Sequence, residues 1–166
     1  MRIIVDGYNF IRQTDLRSLE NISLERGRNE LTRRLSVYKK TKGHKITVVF
    51  DGTLGESLSE QRDQSGGISI IYSRRGETAD QVIKRIIENS AEELLIVSSD
   101  REIASSAERK GFTAVNSRTF AQKLETTEFR RQTHTAEKEE DYHLRKKKKG
   151  PSRRVTRRKR TEQKNV

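Results

Sequence analysis

Arg2-Ile-Ile-Val-Asp6 is the first of three short β-branched runs in this chain that each end in an aspartate. The other two are Ile46-Thr-Val-Val-Phe-Asp51 and Leu94-Leu-Ile-Val-Ser-Ser-Asp100. Each run has the length and composition of a buried strand, and a helical pattern follows it. Parallel strands of an α/β sheet end at one edge, where ligands bind. The sequence therefore predicts that distant carboxylates gather in one small space, where like charges need a cation or a shared proton.

Strand and helix patterns alternate over the first three quarters of the chain. They predict strands at 2–6, 45–50, 68–72, 94–98 and 112–115, and helices at 23–40, 78–89, 99–110 and 117–124. Thr78-Ala-Asp-Gln81 and Ser99-Asp-Arg-Glu102 fit capping boxes. Gly7-Tyr-Asn-Phe10 is expected to form a turn, and residues 52–67 a loop. The alternation predicts an α/β fold with a mainly parallel sheet of about five strands, covered by helices on both faces.

The composition limits the class of protein. Hydrophobic residues make up 30% of the 166 residues and charged residues 36%, which indicates one domain with part of the chain outside its core. The absence of cysteine excludes disulfides, thiolate metal sites and a cysteine nucleophile. Because the chain shows no signal peptide and no membrane-span pattern, we expect a cytoplasmic protein without a membrane partner.

The basic charge is concentrated at the end of the chain. Residues 144–166 carry +11 of the net charge of +12. We expect a folded domain over residues 1–125 and a polar, then strongly basic, extension over 126–166 that is flexible or orders only on a polyanionic partner such as RNA. Such a segment attracts phosphate by counterion release. The predicted RNA contacts are Arg145, Lys146, Lys147, Lys148, Lys149, Arg153, Arg154, Arg157, Arg158, Lys159 and Arg160. The alternative is a solvated tail that only aids solubility.

Four aspartates without a cysteine or histidine partner indicate a hard cation. Asp6, Asp51, Asp80 and Asp100 offer the oxygen ligands that Mg²⁺ or Mn²⁺ takes in preference to zinc. Magnesium binds through one or two carboxylates together with substrate phosphate, which suits phosphodiester hydrolysis. The chain has no P-loop and no Gly-x-Gly-x-x-Gly motif, so NTP hydrolysis and dinucleotide binding lose support.

Each of these residues also has a plainer interpretation. Asp6 and Asp51 precede glycines and suit turns. Asp80 and Asp100 lie where the first turn of a helix favours an acid. Asn9 is as compatible with an Asx-turn as with ligand binding. The functional interpretation therefore depends on the joint placement of the acids at one edge.

Four motifs taken together resemble those of a known family. Ile-Ile-Val-Asp6-Gly7-Tyr8-Asn9, Val-Val-Phe-Asp51-Gly52, Glu77-Thr78-Ala79-Asp80 and Val-Ser-Ser-Asp100 match the ordered motifs of the NYN domain. The NYN domain belongs to the PIN-like nuclease superfamily. The likeness covers residues 1–124 and is greatest to the bacterial YacP-like branch.

The resemblance implies a PIN-like three-layer α/β/α sandwich and a metal-dependent endoribonuclease. It implies metal carboxylates at Asp6, Asp80 and Asp100, a second-strand acid at Asp51, and a polar residue that arranges the site at Asn9. Characterised YacP-like proteins include a ribosome-associated endonuclease that cuts mRNA during translation. The resemblance therefore also suggests the ribosome as a partner.

Three functions follow from these observations. The first is an endoribonuclease in which Asp6 and Asp80 hold Mg²⁺ or Mn²⁺ and position the attacking water, Asp100 completes the acidic set and Asn9 orients a ligand. The second is a non-catalytic RNA- or ribosome-binding protein, against which four intact acids argue. The third is a phosphate-accepting receiver-like domain, which would need a lysine after its last strand, where residues 112–116 contain none.

Overall fold

The computed structural model describes residues 1–52 and 58–148, with side chains as far as residue 133. The chain divides into two compact units, Met1–Arg130 and Arg131–Val166. Of the second unit the structure describes residues 131–148, which are helical. The elements are β1 (Arg2–Asp6), α1 (Gly7–Gln13), α2 (Arg17–Glu20), α3 (Leu24–Lys42), β2 (Lys45–Phe50), β3 (Gln61–Ser65), β4 (Ile68–Tyr72), α4 (Ala79–Asn89), β5 (Leu94–Val97), α5 (Arg101–Arg109), β6 (Thr113–Val115) and α6 (Ser117–Lys148).

The predicted α/β fold with a mainly parallel sheet is confirmed. Six strands are ordered β3-β4-β2-β1-β5-β6, and every neighbouring pair is parallel except β3 with β4. β1 lies between β2 and β5, so the three strands that end near aspartates are adjacent. Because they run in the same direction, their carboxyl ends share one edge of the sheet.

The sixth strand was not predicted, because β3 lies in the segment that we expected to be a loop. All five of its residues are polar and exposed, so it lacks the apolar signal of a strand. It pairs with β4 across Gly66-Gly67, whose φ angles of 57° and 80° suit a tight hairpin. Within the residues that the structure describes, the sheet therefore has six strands instead of about five, and the extra one is a polar edge strand.

Two apolar clusters fill the two faces of the sheet, which confirms the three-layer sandwich. On one face, Val5 of β1 packs with Leu35 of α3 and Phe120 of α6. On the other face, Ile4 packs with Val82 of α4 and Ile103 of α5. Neighbouring residues of β1 thus serve opposite faces, as the alternation of side chains along a strand requires.

The expected turn at residues 7–10 is wrong, because these residues begin α1. The Asp6 side chain accepts a hydrogen bond from the backbone N–H of Asn9, and this caps the helix. Phe10 and Ile11 are fully buried and give the helix its packing energy. Gly7 is needed for close contact, since a Cβ there would lie 2.2 Å from the ring of Phe50.

Capping residues mark the end of α3 and the starts of α4 and α5, but the residue that caps α5 differs from the predicted one. Thr78 and Gln81 form the predicted capping box at the start of α4, and Gly43, at a φ of 74°, ends α3. The second predicted capping box is wrong, because Asp100 caps α5. Ser99 instead accepts a hydrogen bond from another segment, the backbone N–H of Ser117.

Helix α6 is longer than the predicted segment at 117–124. Phe120, Ala121 and Leu124 are buried, and the helix continues past residue 125 to Lys148. Within residues 1–52 and 58–148, no helix has the length and apolar content needed to cross a membrane.

Candidate active site at the carboxyl edge of the sheet

Four aspartates from four segments lie at the carboxyl edge of the sheet. Asp6 is the last residue of β1, and Asp51 directly follows β2. Asp100 precedes α5 as its N-cap, and Asp80 lies in the first turn of α4. The parallel order β2-β1-β5 and the short connections after each strand produce this convergence.

Asp6 is the most buried of the four acids, with only 5% of its surface exposed. Burial raises its pKa from the ordinary value of 3.8 to about 6. Hydrogen bonds from the Asn9 backbone N–H (3.3 Å) and the Ser98 hydroxyl (3.1 Å) oppose this rise, whereas the charges of Asp80 and Asp51 add to it. Among the described residues, no basic side chain forms an ion pair with Asp6.

Asp80 is half-buried and lies in the field of the same cluster. Burial is the largest cause that raises its pKa, and the charge of Asp100 is the next. Asp51 raises the pKa further, whereas the ammonium group of Lys84 lowers it. That ammonium group is shared, since it also pairs with Glu102 at 2.7 Å. The cluster therefore has a surplus of negative charge, with Asp80 linking Asp6 electrostatically to Asp100.

The carboxylates of Asp51 and Asp100 both accept hydrogen bonds from backbone N–H groups in addition to contributing charge to the site. Oδ1 of Asp51 accepts the backbone N–H of Ala79 at 2.6 Å, which fixes the start of α4 and thus the position of Asp80. Oδ1 of Asp100 accepts the N–H groups of Glu102 (2.7 Å) and Ile103 (3.2 Å). An ionised carboxylate has about four lone-pair sites, so these bonds are compatible with coordination of a cation.

The Asn9 side chain links three segments by hydrogen bonds: α1, the turn before α5 and the start of α6. It does not close a turn in its own loop. Its Oδ1 accepts the backbone N–H of Ser99 and the hydroxyl of Ser117, both at 2.9 Å. Since the Ser99 N–H can only donate, the atom facing it must be the amide oxygen. The Nδ2 group of Asn9 is the part of the side chain that these bonds leave to donate to a ligand.

Two serines of the Val-Ser-Ser-Asp100 motif support the site and were not singled out from the sequence. The hydroxyl of Ser98 donates to Asp6 and accepts the backbone N–H of Asp100 at 3.1 Å. It therefore couples the first acid to the last. The only available signal was the position of these serines between a strand and an acid, which is too common to identify a role.

The carboxylate oxygens of the site suit a hard divalent cation, although the described residues do not form a complete set of metal ligands. Within the described residues, no group of three or more histidine, cysteine or acidic side chains is placed to hold a metal ion. Magnesium retains several waters and needs only one or two carboxylates. The buried Asp6 near Asp80 fits this demand, because a cation there would offset negative charge that the described residues do not pair. The four-aspartate metal site remains a prediction.

The predicted RNA contacts lie beyond the side chains that the structure describes. Positions 145–148 belong to the backbone of α6, but side chains are described only to residue 133. The remaining predicted contacts are outside the described residues: Lys149, Arg153, Arg154, Arg157, Arg158, Lys159 and Arg160.

A mostly parallel sheet between two helical layers, with aspartates gathered at its carboxyl edge, is consistent with a PIN-like fold. The model of the YacP-like NYN domain matches residues 3–164. The chain therefore belongs to the YacP-like NYN domain family, which confirms the resemblance drawn from the motifs.

Relatives from Bacillus subtilis agree with this assignment. The chain is 30% identical over 102 residues to the uncharacterized protein YacP of strain 168, and the match spans 59% of this chain and 59% of that protein. The crystal structure of Rae1 (YacP) has a TM-score of 0.73 at 25% identity, over 88% of this chain and 86% of that chain. A crystal structure of a point mutant of Rae1 has a TM-score of 0.65 at 25% identity, over 78% and 77%.

Proposed function

We propose that this chain is a divalent-metal-dependent endoribonuclease that hydrolyses RNA phosphodiester bonds. The observation that supports it most is Asp6, a buried carboxylate with a pKa raised to about 6, which lies in the field of Asp80 and Asp51 and has no ion-pair partner among the described residues. A fold gains nothing from such an arrangement, because each added like charge costs stability. A site that takes up Mg²⁺ or Mn²⁺ together with a phosphate gives the arrangement a purpose.

In this proposal Asp6 and Asp80 hold the ion and position the attacking water. When bound, the ion would polarise the scissile phosphate, lower the pKa of a bound water and neutralise charge on the leaving oxygen. Ser98 keeps the Asp6 carboxylate in orientation through its hydrogen bond to Oδ2. Asp51 keeps Asp80 in place by anchoring the first N–H of α4. Asp100 completes the acidic set.

Asn9 has a positioning role in the proposed site. Its side-chain carbonyl joins α1 to the turn before α5 and to the start of α6. Because α1 begins directly after Asp6, this bond holds the first acid against the turn that contains Asp100. The Nδ2 donor, which these two bonds do not use, is suited to orient a phosphate oxygen or a water.

The basic extension is proposed to supply affinity, whereas the acidic edge supplies the chemistry. Eleven of the seventeen residues from 144 to 160 are lysine or arginine, which suits contacts to RNA phosphates without sequence preference. Messenger RNA on the ribosome is the substrate class that the family resemblance suggests.

Cleavage by purified protein tests the proposal. The full chain is incubated with RNA, and separately with translating ribosomes, in Mn²⁺ or Mg²⁺. The variants are Asp6→Asn and Asp80→Asn, with Asp63→Asn as matched control because Asp63 is exposed on the edge strand β3. We expect the first two to lose cleavage by about a hundredfold or more and the control to keep it.

The other results of this assay have clear meanings. Equal cleavage by all variants would point to a contaminating nuclease and contradict the proposal. RNA binding without cleavage, in wild type and variants alike, would favour the non-catalytic RNA-binding alternative. Circular dichroism on each variant separates loss of the site from loss of the fold.

A further inference from the structure

A group of aromatic rings with an arginine lies at the same edge of the sheet, on the face opposite to the acids. Tyr8 of α1, Phe50 at the end of β2, Tyr72 at the end of β4 and Arg28 of α3 form this aromatic–arginine cluster. It belongs to the apolar face that packs on α3, whereas Asp80 belongs to helix α4 on the other face. The edge thus has an acidic half and a half that carries a cation.

The rings of the aromatic–arginine cluster form a continuous support. The centroids of Tyr8 and Phe50 are 5.0 Å apart, and those of Phe50 and Tyr72 are 5.8 Å apart in a stacked arrangement. Phe50 and Tyr72 are direct neighbours across two parallel strands. Because strands and packing hold these rings, a group that rests on them has little freedom to move.

Arg28 rests on this support and is oriented by it. Its Nη1 donates to the hydroxyl of Tyr8 at 3.2 Å, and its Cζ lies 5.7 Å from the ring centroid of Tyr72. The side chain is half-buried. A guanidinium has five N–H donors in a planar fork, so the bond to Tyr8 uses only a small part of its capacity.

Arg28 differs from Arg12 and Arg34 in having no carboxylate partner among the described residues. Arg12, which also lies over the ring of Tyr8, pairs with Glu20 at 3.2 Å. Arg34 pairs with both Asp15 and Glu30. Among the described residues, no carboxylate lies within ion-pair distance of Arg28. A half-buried, oriented guanidinium without a counterion is a ready anion site.

We infer that Arg28 binds a backbone phosphate of the RNA strand next to the one that is cleaved. This inference rests on the proposed function for the identity of the anion. The acids of the edge repel an approaching RNA strand, and a cation at the rim offsets that repulsion without neutralising the acids themselves. The Tyr72 ring already packs against Phe50 and Arg28, so contact with phosphate is favoured over stacking of a base.

The test measures binding in the absence of divalent metal, so that it does not depend on cleavage. The probe is a 2′-O-methylated pentauridylate, whose blocked 2′ hydroxyls cannot attack the neighbouring phosphates. It is added to the full chain in EDTA, which removes the divalent ion that the proposed hydrolysis requires. Arg28→Gln is compared with Arg26→Gln, which removes the same charge from the same helix at an exposed position. Residues two apart on a helix do not face each other, so the control leaves the cluster intact.

We expect Arg28→Gln to weaken binding by about tenfold, the order that one charged hydrogen bond contributes. The slope of log K against log salt should fall by about 0.7, the value for one phosphate contact on a single strand. Arg26→Gln should remain within about twofold of the wild type, as expected for an exposed charge. Arg28→Lys should recover only part of the affinity, because lysine lacks the planar fork.

Nuclear magnetic resonance of the wild type gives a second readout that requires no variant. Addition of the probe should shift the Nε–Hε signal of Arg28 and the ring signals of Tyr8. Shifts confined to the basic extension or to the acidic half would overturn the inference, as would equal binding by Arg28→Gln and Arg26→Gln. Arg28-dependent binding by a chain that never cleaves RNA would uphold the phosphate site and reject the nuclease function.

Discussion

Replacement of Asp6 by asparagine should stabilise the fold at neutral pH in metal-free buffer. The carboxyl group has a pKa of about 6 in the folded chain against 3.8 in the unfolded chain. Between these two values the folded state keeps a proton that the unfolded state has lost. The free energy of unfolding of the wild type therefore falls as the pH rises from about 4 to about 6, and the loss is complete above that window.

The size of the effect follows from the shift. A rise from 3.8 to about 6 corresponds to a loss of about 3 kcal/mol at pH 8. Asparagine avoids that loss, and its Oδ1 still accepts the N–H of Asn9, since asparagine caps helices about as well as aspartate. The bond from Ser98 must rearrange, at a cost of about 1 kcal/mol. We expect the variant to be more stable by about 2 kcal/mol at pH 8 and less stable by about 0.5 kcal/mol at pH 4, where the unfolded wild type has already lost part of its proton.

Urea denaturation at pH 4 and pH 8 in EDTA, followed by circular dichroism, measures these differences. Asp63→Asn is the control, and as a surface substitution it should change stability by no more than about 0.5 kcal/mol at either pH. Addition of Mg²⁺ at pH 8 should stabilise the wild type more than Asp6→Asn, because the ion would offset the same charge. A difference of the same sign and size at both pH values would contradict the account of Asp6 as a penalised carboxylate.

Two further predictions concern the capping of α4 and the basic extension. Thr78→Ala removes the side-chain acceptor of the capping box and should cost about 1 kcal/mol in urea denaturation; no loss would mean that packing alone holds the start of the helix. Removal of residues 145–166 should weaken RNA binding and flatten its salt dependence, measured by fluorescence anisotropy with a labelled RNA. Unchanged binding at low salt would contradict the role of the extension.

Local sequence patterns were sufficient for most elements of the fold. The three runs that end near aspartates are adjacent parallel strands, and Thr78 with Gln81 caps α4 as predicted. These signals are reliable because buried strands and helix caps depend on residues close together in the chain. Strand β3 and helix α1 were missed for the opposite reason. β3 forms by pairing with β4, and α1 is stabilised by burial of Phe10 and Ile11.

The candidate site was likewise predictable only in part. The acids could be chosen from the sequence because each lies at the end of a strand or the start of a helix, and a parallel sheet brings such positions to one edge. The structural role of each residue, however, could not be predicted from the sequence. Asp51 anchors Ala79, and Asn9 joins Ser99 to Ser117, through bonds that connect residues far apart in the chain.

The sequence alone determined the class of fold, the family and the positions of the acids, since these follow from local periodicity and from motif order. Only the tertiary structure decided which acid is buried, which acids accept hydrogen bonds from the backbone, and that Arg28, unlike Arg12 and Arg34, has no carboxylate partner among the described residues. The physical reason is that burial and charge compensation depend on every group that surrounds a side chain. Arg12, Arg28 and Arg34 look alike in the sequence, yet Arg28 alone of these three lies at the sheet edge without a counterion among the described residues.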